Sequence, residues 1–371
     1  MQHDFHQLGA AFSLPGTLIE ALPYGTGHIN DTYAAVYQQN GARRRYIHQR
    51  VNQQVFRDVP ALMDNISRVT GHQHALLGAA GVDDPERRAL TLLPCRDGQP
   101  FHVDPAGHYW RTYLFIEGAR TYDRIESPGQ ARAAAAAFGR FQRDLTQMPG
   151  GRLHETIPQF HDTRSRFSAL QRAIAADLHN RAAGARREID AFLAREDAVD
   201  TILAAMRSGA VPERVTHNDT KLNNVMLDDT TGEGICVIDL DTVMPGSVLY
   251  DFGDMVRTAT SPVAEDERDC DRVEMRMEMF LALVDGYLGA ANAFLTDAER
   301  DLLAFSGRLI TLENAMRFLT DHLAGDVYFK IHRPGHNLDR CRAQIALVAS
   351  IEQQMARMEA CVAERAGICA C

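Results

Sequence analysis

Between Asp31 and Val51 the chain reads as two strand segments, DTYAAVYQQ and RRRYIHQRV. They flank NGA, whose Asn-Gly step is a hairpin signal. The period then changes. VPALMDNISRVTGHQHALL carries apolar residues at Leu62, Ile66 and Val69, which is helical spacing. RALTLLPCRDG and HYWRTYLFIEG return to a strand pattern. Beyond them, Ser127 with Pro128 marks a helix start, and Ala134, Phe138, Phe141 and Leu145 keep one apolar face. Helices dominate from there, except that ERVTH, NVMLD and GICVIDLD read as short strands, with DTTGEG as the turn between the last two. VEMRMEMFLALVDGYL is a helix. A longer one is expected from about Ala298 to Leu323, where Leu302, Phe305, Leu309, Leu312, Met316 and Leu319 step by three and four. The pattern predicts an α+β chain of two lobes: a small antiparallel-sheet lobe over 1–118 and a larger, mostly helical lobe over 119–371. The join lies near Glu117 and Gly118.

Composition narrows the function classes. With 371 residues, 45% hydrophobic and 24% charged, the chain can bury a sizeable core. Its net charge of −10 argues against a nucleic-acid or anionic-membrane partner, though not against an anionic small molecule held by local charge or a metal. The seven cysteines have no framework spacing, which suits reduced thiols in the cytoplasm. The first residues lack the basic and apolar regions of a signal peptide, and no apolar run approaches a membrane span. A cytoplasmic location is the expectation. Nothing in the sequence sets an oligomeric state.

One stretch carries chemistry. VTHNDTKLNNVMLD places His217, Asp219 and Asn224 between two apolar runs, and after a hairpin come Ile238-Asp239-Leu240-Asp241. Taken singly, a loop Asp is a cap and a His is a core residue. Taken together, the spacing fits phosphoryl transfer. Asp219 can orient a hydroxyl and accept its proton, while Asn224 and Asp239 can hold Mg²⁺. Asp241 either caps a turn or touches the metal. Upstream, Gly25 and Gly27 precede the first hairpin and let backbone N–H groups approach phosphates. Asn30 stands where a third glycine would. A kinase small lobe ordinarily offers a lysine to the phosphates. The chain has only two lysines, Lys221 and Lys330, and neither lies there. Arg50, in YIHQRVN, is the expected substitute, with Asp64 as its acidic partner.

THNDTKLNNVMLD and VIDLDTVMPGSVLYDFGDMVR together resemble the aminoglycoside phosphotransferase and choline kinase group, which has the protein-kinase-like two-lobe fold. The resemblance implies that Asp219 is the catalytic base and that Asn224 and Asp239 are Mg²⁺ ligands. It gives His217 and Asp251 structural roles at the site. GTGHINDTY, YIHQRVN, WRTYLFIEGARTYD and NAMRFLTDHLAGDVYFK resemble, more narrowly, the N-acetylhexosamine 1-kinases, over about residues 22 to 345. That likeness implies transfer of the ATP γ-phosphate to the anomeric hydroxyl of N-acetylglucosamine or N-acetylgalactosamine. It makes His28 and Arg317 sugar contacts. Asn30 and Tyr328 offer further polar groups to the sugar, although Arg317 also sits four residues after Glu313, where an ordinary helical ion pair would explain it. The fold places adenine against backbone from Phe115 to Glu117. Two alternatives stay open: the same chemistry on an amino alcohol, another sugar or an aminoglycoside, or an inactive nucleotide-binding scaffold. The missing lysine favours the scaffold, and the intact Asp219, Asn224 and Asp239 set opposes it.

Overall fold

The computed structural model describes residues 3–25, 27 and 29–367. In the small lobe, α1 (Phe5–Ala11) leads into β1 (Thr17–Pro23), β2 (Asp31–Gln39) and β3 (Ala42–Arg50). Helices α2 (Val59–Ala79) and α3 (Pro85–Arg88) follow, then β4 (His102–Val103) and β5 (Tyr109–Leu114). The five strands form one antiparallel sheet in the order β1-β2-β3-β5-β4. Asn40 and Gly41, both at positive φ, close the β2–β3 hairpin so that Gln39 faces Ala42. One face of the sheet is covered by α1, whose Leu8 packs with the following Phe12 and with Trp110. RALTLLPCRDG forms no regular strand. Thr91 and Leu93 exchange backbone bonds with Leu114 and Thr112, but Pro94 has no N–H to extend the ladder.

The chain leaves the sheet through Ile116–Gly118, with Gly118 at φ +65°, and enters β6 (Ala119–Arg120), which pairs with β8 (Val225–Asp228). That strand pairs in turn with β9 (Gly234–Val237), while β7 (Arg214–Thr216) pairs with β10 (Met244–Gly246). Around these small sheets stand α4 (Pro128–Leu145), α5 (Thr163–Ala176), α6 (Arg186–Leu193) and α7 (Thr201–Arg207). Then come α8 (Val248–Ala259), α9 (Met277–Ala291), α10 (Asp297–Asp301), α11 (Leu303–Leu323) and α12 (His336–Ala366). The helix expected from Ala298 is two. A Thr296–Glu299 capping box starts α10, and Leu302 breaks the run before α11. Ser127 caps α4 as expected, its hydroxyl accepting from Gln130 N–H.

One apolar core runs through both lobes, from Leu62, Met63 and Ile66 of α2 to Phe138, Val237, Phe252 and Tyr287. Helices α8 and α11 meet almost backbone to backbone. A Cβ on Gly253 would lie 2.4 Å from the Ser306 carbonyl oxygen, and one on Gly307 2.7 Å from Val256. This contact fixes the helix that carries Asp251. Among the described residues, no helix is long and apolar enough to cross a membrane.

Candidate active site

The loop from β7 to β8 is held from behind by a buried carboxylate. Asp251, fully buried near the start of α8, accepts from His217 N–H (2.9 Å), Asn218 N–H (2.7 Å) and Gln142 Nε2 (2.6 Å). Gln142 is itself fixed by Tyr287 Oη (2.6 Å). Burial raises the Asp251 pKa, and these donors oppose the rise. His217 packs against Phe138 and Phe141. Its Nε2 donates to the Ile238 carbonyl (2.9 Å), and its Nδ1 accepts from Asp219 N–H (3.3 Å). Asn218 takes positive φ and donates to the Thr242 carbonyl (2.9 Å), which stitches this loop to the one after β9.

Asp219 therefore sits on a braced backbone with its carboxylate about one third exposed. Its Oδ1 lies 2.9 Å from Lys221 Nζ, and its Oδ2 is 3.2 Å from Asn224 Nδ2. Desolvation alone would raise its pKa. The charge and hydrogen bond of Lys221, with His217 and Arg257 nearby, hold it below the ordinary value instead. Asn224 Nδ2 also donates to the Asp219 carbonyl (2.8 Å), so its Oδ1 is left for another partner. Asp239, in the left-handed region at φ +58°, lines the cleft. Desolvation in the cleft, then the charges of Asp241 and Asp219, push it up to about 6.

An amide oxygen and a carboxylate make a hard-oxygen pair that suits Mg²⁺, which takes one or two protein ligands plus phosphates and water. Among the described residues, no three His, Cys, Asp or Glu side chains converge as a metal cage, so the protein supplies only part of such a shell. Asp241 faces elsewhere. It is buried, ion-paired with Arg111 (2.5 Å), and accepts from Asn30 Nδ2 (2.6 Å).

Across the cleft, Gly25, Gly27, Thr32, Ile47, Gln49, Tyr113, Phe115, Met226, Ile238 and Asp239 line a cavity of about 230 Å³. A Cβ at Gly25 or Gly27 would meet nothing within 4 Å, which leaves room at both positions. Beside the cavity, the Phe115 carbonyl and Glu117 N–H have no backbone partner among the described residues. The Glu117 carbonyl is taken by Arg87 Nε (3.0 Å), and its side chain by Arg45, which stacks over Phe115.

Arg50 is not in this cleft. Strand alternation turns Gln49 toward the cavity and Arg50 to the other face, where it bonds Asp31 (2.7 Å). The expected Arg50–Asp64 pair does not form either, because Asp64 bonds His154 (2.9 Å). His28 lies outside the described residues. Asn30 spends its side chain on Asp241 and Asn52 N–H (2.9 Å).

Arg317 makes no ion pair with Glu313, which is buried and bonded to His161 (2.8 Å) and Thr163 (2.6 Å). Its guanidinium instead lies over the rings of Phe160 and Phe329 and donates to Asn314 Oδ1 (3.3 Å). Tyr328 is 70% exposed, on a loop whose N–H groups at 327, 328 and 329 converge on Asp321. A larger cavity, about 600 Å³, opens beside Lys221 between Asp123, Glu126, Arg257 and Arg276. Neither Arg317 nor Tyr328 lines it. Lys221 and Arg111 join the site without having been expected there. The available signals were a lysine two residues after Asp219 and an arginine inside an otherwise apolar strand.

The model of the phosphotransferase enzyme family (APH) matches residues 20–279. An aminoglycoside phosphotransferase from Alicyclobacillus acidocaldarius superposes with a TM-score of 0.59 at 11% identity, covering 94% of this chain and 96% of that one. A microcompartment-associated aminopropanol kinase gives 0.56 at 16% identity, covering 96% and 99%. The choline kinase from Cryptosporidium parvum gives 0.53 at 11% identity, covering 91% and 90%. At these identities the likeness concerns the fold.

Proposed function

Because the chain belongs to the phosphotransferase enzyme family, we propose that it is an ATP- and Mg²⁺-dependent kinase that phosphorylates the anomeric hydroxyl of an N-acetylhexosamine. The observation that carries the phosphotransferase chemistry is the convergence of Asp219, Lys221, Asn224 and Asp239 across the cleft from the glycine loop. The choice of sugar rests on the sequence segments that resemble the N-acetylhexosamine 1-kinases.

Asp219 would accept a hydrogen bond from the sugar hydroxyl and direct its oxygen at the terminal phosphorus. As the new O–P bond forms and the bond to the ADP oxygen breaks, the hydroxyl proton passes to the Asp219 carboxylate. Lys221 keeps that carboxylate ionised before the transfer. Asn224 and Asp239 would hold Mg²⁺, which when bound neutralises phosphate charge. Gly25 and Gly27 let the loop backbone lie close to the phosphates. Phe115 and Glu117 offer a carbonyl and an N–H to the adenine edge. Arg317, with Tyr328 and His28, is the proposed sugar wall.

The test is phosphate transfer from Mg·ATP to a panel of N-acetylhexosamines, other sugars, amino alcohols and an aminoglycoside, with product position read by ³¹P NMR. Phosphate at C1 of an N-acetylhexosamine is expected. Transfer only to an amino alcohol or aminoglycoside would overturn the acceptor, and no transfer to any acceptor would overturn the kinase.

A further inference from the structure

In an ordinary kinase small lobe, a lysine on the third strand meets the phosphates and pairs with an acid on the following helix. This chain has neither partner. The β3 side chains on the cavity wall are Ile47 and Gln49. The one acid on α2, Asp64, is partly exposed and bonded to His154. Asn65, the most deeply buried polar residue of α2, bonds the backbone of His154 and Val243.

The cation is found one strand away. Arg111 of β5 is 1% exposed, a costly position for a guanidinium unless its charge is matched and its donors are used. Its Nη1 meets Asp241 at 2.5 Å, and its Nε donates to Gln49 Oε1 at 3.0 Å. Gln49 Nε2 donates one hydrogen to Thr32 Oγ1 at 3.0 Å. An amide nitrogen has two. The second has no protein partner among the described residues and sits on the wall of the cavity that also holds Gly25, Gly27 and Asp239.

Resting on the kinase reading above, we propose that Gln49 is the small-lobe group that touches the nucleotide phosphates and that Arg111 is its positioning residue. A carboxamide oxygen held by a guanidinium cannot flip, so the NH₂ end is fixed toward the cleft. The positive charge stands behind the amide instead of touching the phosphate. Because Arg111 also holds Asp241, and Asp241 holds Asn30, one polar chain joins the donor, Asn30 and the turn after Asp239.

The test is calorimetric titration of Mg·AMP-PNP, with melting curves on each variant. Gln49→Glu keeps an oxygen for Arg111, removes both amide donors and turns a negative charge on the phosphates. It should melt no lower than the parent yet bind the nucleotide at least tenfold more weakly. Gln49→Ala should weaken binding less. Arg111→Lys keeps the pair to Asp241 but loses the fork that holds Gln49. It should raise the nucleotide KM several-fold with a smaller change in kcat. Parental nucleotide affinity in Gln49→Glu would overturn the proposal, as would a kcat loss in Arg111→Lys at unchanged nucleotide KM. The titration of the Gln49 variants needs no acceptor, so a wrong sugar leaves that arm intact, and the Arg111→Lys kinetics use whichever acceptor the panel identifies. Absence of nucleotide binding by the parent protein would instead sink the kinase reading itself.

Discussion

Replacing Asp251 with Asn changes one heavy atom at a fully buried site on α8 and should disable the loop that its carboxylate braces. The carboxylate accepts from two consecutive backbone N–H groups and from Gln142. In Asp251→Asn one oxygen becomes a donor facing at least one of those donors, and the charge that strengthened all three bonds is lost. A hydrogen bond to a charged group is worth about 1.5–3 kcal/mol, and a buried N–H left unpaired costs about 1–3 kcal/mol. Some relaxation of the loop offsets this, so the expected loss of folding free energy is about 2–4 kcal/mol. The same relaxation moves Asp219, two residues after His217, by a fraction of an ångström to an ångström. Misplacement on that scale costs on the order of 100-fold in rate. Urea unfolding gives the first quantity, and steady-state transfer at saturating nucleotide and acceptor gives the second. The reasoning fails if the variant unfolds with the parental midpoint and slope, or if it is destabilised as expected yet keeps the parental kcat.

Asp219→Asn should lower kcat by about 10²–10⁴-fold with nucleotide affinity little changed, because in the proposed reaction the group acts on the acceptor proton. A rate within tenfold of the parent would remove the base assignment. As the proposed Mg²⁺ ligand, Asp239, raised to about 6, would have to be ionised, so Mg·nucleotide affinity should fall as the pH drops below 6. One unit lower, about a tenth of the carboxylate is charged, and binding should be about tenfold weaker. A flat profile from pH 7 to 5 would contradict it. In the small lobe, burial would raise Asp104, but Trp110 Nε1, His108 and the Ala106 N–H pull it down to about 2. Its folded value lies below the unfolded one, so its stabilisation of roughly 2 kcal/mol is present above about pH 4 and lost as the pH falls toward 2. Asp104→Asn should therefore be less stable than the parent at pH 6, with the gap narrowing at pH 3; a constant gap would refute the assignment.

Much of the fold was legible because it is written in periodicity. The alternation of β2 and β3, the Asn-Gly turn and the stripe of α4 each need only local patterning. The 31-residue α12 escaped because Arg, Gln and Glu interrupt its buried positions, among them Leu347, Ile351 and Met358. The site divides the same way. The spacing of Asp219, Asn224 and Asp239 encodes a loop and a strand end that are contiguous in sequence. Arg50 was misplaced because alternation says that residues 49 and 50 face opposite ways but not which way is inward. That depends on α1 covering one face. Arg111 and Asp241 stand 130 positions apart, and only the packing of β5 against the turn after β9 joins them.

The ion pair of Lys221 with Asp219 has a practical corollary. Of the two lysines in this arginine-rich chain, Lys330 sits on the exposed loop between α11 and α12. The other stands beside the carboxylate at the heart of the cleft. An acyl-phosphate derivative of the nucleotide would thus have one ε-amine to modify there. A single tagged peptide in a digest would report occupancy of the cleft directly, with no engineered handle.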